Sequence, residues 1–306
     1  VKSGFVAVLG RPNVGKSTLL NALVGSKIAI VTGKPQTTRD AIQGIVTRPE
    51  GQIILVDSPG VHEPVMELGR RMMREVRRAT SGCHLILLLA DASSGIRRDD
   101  RAALDLVKKT KVPALLALNK IDLLASKSAL LPLIDQWQQL HDFREFIPIS
   151  ARKGQNLDLL VRLMFEQLPE GPLYYPDDYV TDQPERFLAA ELVREQVILA
   201  TAQEVPHSTA VLIEQWEETP GLLRISATIL VEREGQKRIL IGSGGQKLKE
   251  IGSAARRQLE AQFDRKIFLE LFVKVRAKWR DKPAFVKELD FRRQLGDTGS
   301  DEGMGK

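Results

Sequence analysis

The sequence predicts an α/β protein of two domains, a mostly parallel sheet flanked by helices and then a smaller α+β domain. Three observations predict it. Short apolar runs alternate with helical stretches through the first half of the chain. The segment Pro169-Glu-Gly-Pro-Leu-Tyr-Tyr-Pro176 interrupts that alternation with turn-forming residues. Beyond it the order becomes helix, strand, strand, helical region, strand, the pattern of an α+β unit. A chain of 306 residues is long enough for two hydrophobic cores.

The elements follow in order. Phe5–Leu9 is a short apolar run that reads as a buried strand, and Ser17–Val24 has helical spacing. Between them Gly10-Arg-Pro-Asn-Val-Gly15-Lys16-Ser17 matches G-x-x-x-x-G-K-[ST], a loop whose glycines let the backbone wrap a phosphate at a helix start. Further strands are expected at Ile53–Val56, Leu85–Ala90, Ala114–Leu118 and Phe146–Ile149. Such sheets bind ligands at the carboxyl ends of their strands. Asp57-Ser-Pro-Gly60, Asn119-Lys-Ile-Asp122 and Ser150-Ala151-Arg152 each follow one of these runs. The expected boundaries are 1–168 for the first domain, 169–186 for a linker, 187–293 for the second domain and 294–306 for a polar, Gly-rich tail expected to be disordered.

Chemistry assigns roles to these segments. Lys16 would reach the β- and γ-phosphates of a nucleoside triphosphate, and the Ser17 hydroxyl would ligate Mg2+. Asp57 would hold the same ion through water, and the Gly60 N–H would meet the γ-phosphate. A carboxylate at Asp122 can accept from guanine N1–H and N2–H₂, a pair that adenine lacks, so the wrong base would leave a desolvated charge unpaired. Lys120 would lay its stem over the base, and the Ala151 N–H could meet guanine O6. The nucleotide is therefore expected on Gly10, Asn13, Val14, Gly15, Lys16, Ser17 and Thr18, with Asn119, Lys120, Asp122, Ser150, Ala151 and Arg152 around the base.

These four motifs, in this order, resemble the translation-factor-related GTPases over residues 1–168. The phosphate loop and Gln36-Thr37-Thr38-Arg39 are similar to the Era-like branch. That resemblance implies GTP and GDP as ligands and Mg2+ held by Ser17, Thr38 and Asp57, with Thr37 an alternative to Thr38. Val61 stands where Ras-type enzymes carry Gln, so intrinsic hydrolysis is expected to be slow. The resemblance also implies K+ near Asn13, doing the work of an arginine finger; the alternative is that Asn13 only shapes the loop. Lys16, Thr38, Asp57, Gly60 and Asn13 are the expected catalytic set.

In the second domain Ile241-Gly242-Ser243-Gly244-Gly245 contains G-x-x-G and leads into Gln246–Phe263, which reads as helical. It resembles the KH domain, type II by element order, whose G-x-x-G loop clamps four nucleotides of a single strand. Residues 235–282 hold 13 Lys/Arg against 5 Asp/Glu, a net of +8, although the chain from Thr181 onward is nearly neutral. Ile241 through Gly245 with Lys247, Lys249 and Arg256 are the expected RNA contacts, Lys and Arg being the salt-sensitive part. Ser243 and Gly244 replace the basic residues frequent within this loop. Phe263, Phe268, Phe272 and Phe285 are expected in the core. The bland alternative is a KH fold used for protein contacts.

The whole chain resembles the Era family, an Era-type GTPase domain, a short linker and a KH domain. The resemblance implies a monomeric factor in assembly of the small (30S) ribosomal subunit, binding the 3′ region of 16S rRNA. Composition fits a soluble protein, 43% hydrophobic and 27% charged with a net charge of +6. One cysteine, Cys83, excludes an internal disulfide, and four histidines give no metal pattern. No apolar run is long enough to span a membrane, no signal peptide is read, and a cytoplasmic location is expected. The competing readings are a nucleotide-driven modifying enzyme and a membrane-associated signalling GTPase. For the latter, Arg70, Arg71, Arg74, Arg77 and Arg78 would meet anionic lipid at the inner face of the membrane.

Overall fold

The computed structural model describes residues 1–34, 37–61, 66–202 and 205–289. Gln36, residues 290–293 of the expected second domain and the tail 294–306 lie outside the described residues. The chain divides into two compact units, Val1–Glu63 with Met72–Gln183, and Pro64–Arg71 with Pro184–Lys306.

The first unit is built on β1 (Lys2–Leu9), α1 (Lys16–Val24), β2 (Ile42–Arg48), β3 (Gly51–Asp57), α2 (Glu67–Thr80, which belongs to this unit from Met72 onward), β4 (Leu85–Asp91), α3 (Arg98–Lys108), β5 (Ala114–Asn119), α4 (Leu130–Leu140), β6 (Phe146–Pro148) and α5 (Leu157–Gln167). Its sheet runs β2-β3-β1-β4-β5-β6, and every pair is parallel except β2–β3. Both faces are covered, as a parallel sheet requires. Ala7, Leu9, Ile86, Leu88, Leu116 and Leu118 share one core with Val76 of α2, Leu104 of α3 and Trp137 of α4. The alternate residues Val6, Val8, Leu87 and Leu115 are equally buried on the other face, and α5 packs against β1 and β3. α1 stops where Gly25 turns left-handed and donates its N–H to Asn21.

β2 is a strand the sequence pattern did not single out. It is short of apolar residues because Gly44 sits at a close approach. A Cβ there would lie 2.5 Å from Leu20 and 2.8 Å from Val24 of α1. The outer edge of β2 carries the connecting segment. Ile45 N–H donates to Val180 O at 2.9 Å, and Thr181 Oγ1 donates to Gln43 O at 2.7 Å. Fully buried Gln52 accepts the N–H of Tyr174 and of Tyr175 at 2.9 Å and donates to Tyr175 O at 3.0 Å. The compact first unit thus extends through Gln183.

The second unit contains α6 (Glu185–Ala200), β7 (Ala210–Thr219), β8 (Leu222–Val231), α7 (Glu234–Ile241), α8 (Gln246–Phe263), β9 (Lys266–Val275) and α9 (Pro283–Glu288). Its sheet runs β7-β8-β9, with β8–β9 parallel. α6 packs on α8 and β7, and α8 on β9. The stretch before the G-x-x-G loop is helical: Gln236 Oε1 accepts the N–H of Glu232 and of Arg233, which fixes the start of α7. Phe285 is core at 1% exposure, but Phe268 and Phe272 are 45% and 49% exposed. That corrects their expected place in the core. Strand alternation puts them with Glu270 and Lys274 on the outer face, while Ile267 and Val273 point inward.

Candidate functional site

The phosphate loop joins β1 to α1 and depends on backbone that glycine alone adopts without strain. Gly10 and Gly15 have φ of 153° and 105°. A Cβ on Gly15 would lie 2.3 Å from Asn119 Nδ2, and one on Gly10 2.7 Å from Leu89 O. Lys16 is buried at the start of α1 and donates to the carbonyls of Gly10 and Arg11, both at 3.1 Å. Burial lowers its pKa to about 8, although Asp57 opposes that shift. Asp57 ends β3 at zero exposure; burial raises its pKa to about 6 against the charge of Lys16 and a hydrogen bond from Ser17.

Oxygen donors converge beside this lysine. Ser17 Oγ donates to Asp57 Oδ2 at 2.7 Å and lies 2.8 Å from Thr38 Oγ1. Asp57 Oδ1 is buried with no hydrogen-bond partner. Three hard oxygen ligands with an orphaned carboxylate atom suit Mg2+. Thr37 also lines the cleft, but its hydroxyl is 2.6 Å from that of Thr32 and donates to Lys34 O. The cleft is lined by Asn13, Thr18, Thr38 and Gly60 among others. Gly60 packs against Pro12, where a Cβ would be 2.8 Å from backbone nitrogen. Val61 is buried and donates its N–H to Gly10 O. Asn13, at φ 61°, donates its side-chain amide to Gly33 O at 3.1 Å.

The base side is built from the ends of β5 and β6. Asn119 donates Nδ2 to Val14 O at 2.8 Å and accepts the Ala151 N–H at 2.9 Å. The Ala151 N–H therefore braces Asn119 here. Ser150 Oγ donates to Asp122 Oδ1 at 2.6 Å, which orients an exposed carboxylate. Lys120 has φ 69° and donates Nζ to Asn13 O at 2.8 Å and Asp91 Oδ2 at 2.7 Å. Arg152 is exposed beside this group. Sequence reading missed Asp91; its only signal was an acidic residue closing the apolar run of β4.

In the second unit Gly242, Gly244 and Gly245 have φ of 71°, 56° and 80°. Gly245 caps α8 without any side-chain hydrogen bond, so the helix opens with N–H groups that no side chain covers. Ser243 and Gly244 are exposed. The groove between α8 and β9 is lined by Gly245, Leu248, Lys249, Gly252, Arg256 and Leu271 among others. Gly252 faces Leu271 across it, where a Cβ would sit 3.4 Å away in ordinary contact. Lys247 packs against Gly242 beside the loop, and Ile241 ends α7. Leu248, Gly252 and Leu271 were not identifiable as groove residues, because apolar spacing on α8 and β9 reads equally as core.

Known families match both parts of the chain. The family described as 50S ribosome-binding GTPase matches residues 5–120, and the family described as KH domain matches residues 204–280. The chain is similar to a single-site variant of Aquifex aeolicus Era bound to GDP and AlF4−, with 42% identity, coverage of 95% of this chain and 99% of that one, and a TM-score of 0.92. It is similar to the same extent, 42% identity over 95% and 99% with a TM-score of 0.92, to Era in complex with MgGDPNP and nucleotides 1506–1542 of 16S ribosomal RNA.

Proposed function

The chain belongs to the Era family of GTPases, and from that premise we propose that it is a GTP-switched RNA-binding factor acting in assembly of the small ribosomal subunit. Its RNA target would be the 3′ region of 16S rRNA. One observation carries the reading: Lys16, Ser17, Asp57 and Thr38 meet in one cleft although they come from α1, β3 and the loop before β2.

In the mechanism, Lys16 leaves the carbonyls of Gly10 and Arg11 to hold the β- and γ-phosphates, while the N–H groups of the loop surround them. Ser17, Asp57 and Thr38 would hold Mg2+, which supplies neutralisation of charge on the phosphate oxygens. Thr38 belongs to the segment running into β2, so its engagement would tie that segment to the γ-phosphate and release it after hydrolysis. Val61 has no group to orient the attacking water, which favours a slow intrinsic rate. The side-chain oxygen of Asn13 would be a ligand for K+. Asp122 and Lys120 select guanine.

For RNA, the N–H groups at the start of α8 would take phosphate, Lys249 and Arg256 would follow the backbone, and the apolar floor of the groove would take bases. The α2 arginines favour a membrane surface less. Arg71 is 7% exposed, and Arg70 and Arg78 pair with Glu67 and Glu75 at 2.8 and 3.0 Å. No described helix is long and apolar enough to cross a membrane.

The test is the affinity for a fluorescent single-stranded RNA copying the 16S 3′ end. Binding should be tightest with a GTP analogue, weaker with GDP and weakest without nucleotide, in K+ buffer. Absence of binding in all three states would overturn the RNA reading and leave the GTPase.

A further inference from the structure

Asp91 ends β4, is 6% exposed, and belongs to none of the four nucleotide motifs. Its carboxylate is saturated. Oδ1 accepts from the N–H and the Oγ of Ser93 at 3.0 and 2.6 Å. Oδ2 accepts from Lys120 Nζ at 2.7 Å and Arg11 Nη2 at 3.3 Å. Both cations belong to the nucleotide site. Arg11 lies in the phosphate loop, and Lys120 also donates to the carbonyl of Asn13, two residues farther along that loop. The contacts close a ring: phosphate loop at Arg11, Asp91, Lys120, and phosphate loop again at Asn13.

The ring is anchored on its far side. Arg11 Nε lies 3.3 Å from Asp100 Oδ2 near the start of α3, and Arg11 Nη2 donates to Ser94 Oγ at 2.8 Å. Asp100 is itself held by the N–H of Arg97 at 2.9 Å. Two carboxylates thus face two cations in a neutral cluster, buried at Arg11, Asp91 and Asp100 and part-exposed at Lys120, and breaking a partner at its buried end leaves charge uncompensated.

We propose that Asp91 is a positioning residue of the nucleotide site, holding Lys120 outstretched as a preformed platform for the guanine base and locking that platform to the phosphate loop through Arg11. The proposal rests on the GTPase reading above. A free lysine side chain loses rotamer freedom when fixed. Pinning its ammonium in the nucleotide-free protein removes that penalty from binding. It also keeps the ammonium from turning toward the phosphates, which are left to Lys16. The platform meets the base in both ground and transition states, so its loss weakens binding and spares the chemical step.

The experiment is a double-mutant cycle on the full chain: GDP and a GTP analogue titrated against wild type, Asp91→Asn, Lys120→Ala and the double variant, with kcat for GTP. Asp91→Asn should weaken both nucleotides alike by roughly 10- to 100-fold, the scale of a lost charged hydrogen bond. kcat should stay within about twofold, and the double variant should bind no worse than Lys120→Ala. An additive cycle, or unchanged affinity in Asp91→Asn, overturns the proposal. Should Asp91→Asn not fold, Ser93→Ala, which removes the hydroxyl bond to Oδ1 and leaves the backbone N–H bond in place, replaces it in the same cycle: non-additive weakening supports the proposal, and additivity or unchanged affinity overturns it. Wild type failing to bind GDP would instead overturn the nucleotide reading itself.

Discussion

Asp57 and Lys16 lie in a nucleotide-free cleft that suits neither charge. An unfolded chain holds the Asp57 proton only below the ordinary 3.8, whereas the folded, magnesium-free protein holds it up to about 6. Asp57 therefore favours the folded state most at low pH, and this advantage is lost as pH rises through 6, by at most about 3 kcal/mol. Lys16 runs the other way. Its pKa falls to about 8, so its contribution is full above 10.5 and is lost as pH falls through 8. Between pH 6 and 8 the bare site is at its least favourable, and ligand binding relieves it. Denaturant unfolding without nucleotide or Mg2+ should show wild type losing stability relative to Asp57→Asn between pH 4 and 6; parallel curves would contradict the burial argument. Lys16, Ser17 and Asp57 were legible because each stands in a short contiguous motif. Asp91 was not, because its partners are 80 and 29 residues away in sequence and only the sheet order brings them together.

Elements were legible where one face of a periodic pattern had to be buried and obscure where glycine replaced a side chain. The strands after the phosphate loop announced themselves as apolar runs ending in polar residues. β2 did not, since Gly44 makes room for α1 instead of adding to an apolar face. On β9 the alternation was readable but not which side faced the core, so Phe268 and Phe272 were assigned inward. Between α7 and α8 the glycines were readable, and the groove beyond them was not. The loop supports a direct test. Gly244 and Gly245 have open space where a Cβ would go, so aspartates there would add charge without a clash, although left-handed backbone at both positions adds strain. Replacing both should lower RNA affinity by about tenfold or more, through repulsion at phosphate contacts, and leave GDP affinity unchanged. Unchanged RNA affinity in a filter-binding titration would remove the loop from the interface.

At the scale of the molecule, the proposed function gives each of two units its own ligand. A ligand bound to one folded unit stabilises that unit by mass action. Lys16→Ala should abolish the stabilisation of the first unit by Mg-GTP analogue while RNA binding by the nucleotide-free protein stays as in wild type. Calorimetry with an RNA titration reads both, and loss of RNA binding in that variant would show that the lysine supports more than its own cleft. The two-unit division and the nature of each unit were legible from the change in element order, but the Gln52 contacts to Tyr174 and Tyr175 were not, since no local pattern announces a buried glutamine reaching 123 residues along the chain. The segment they hold has one more consequence. β2 is the last strand of its sheet, and Val180 and Thr181 occupy the outward hydrogen-bonding positions of Ile45 and Gln43. Peeled or cut away, that stretch would bare a seven-residue strand edge, a template on which other chains can add as strands. The tether between the units is thereby also a guard against self-association, and a preparation nicked near Val180 should be judged by its aggregation as much as by its enzymology.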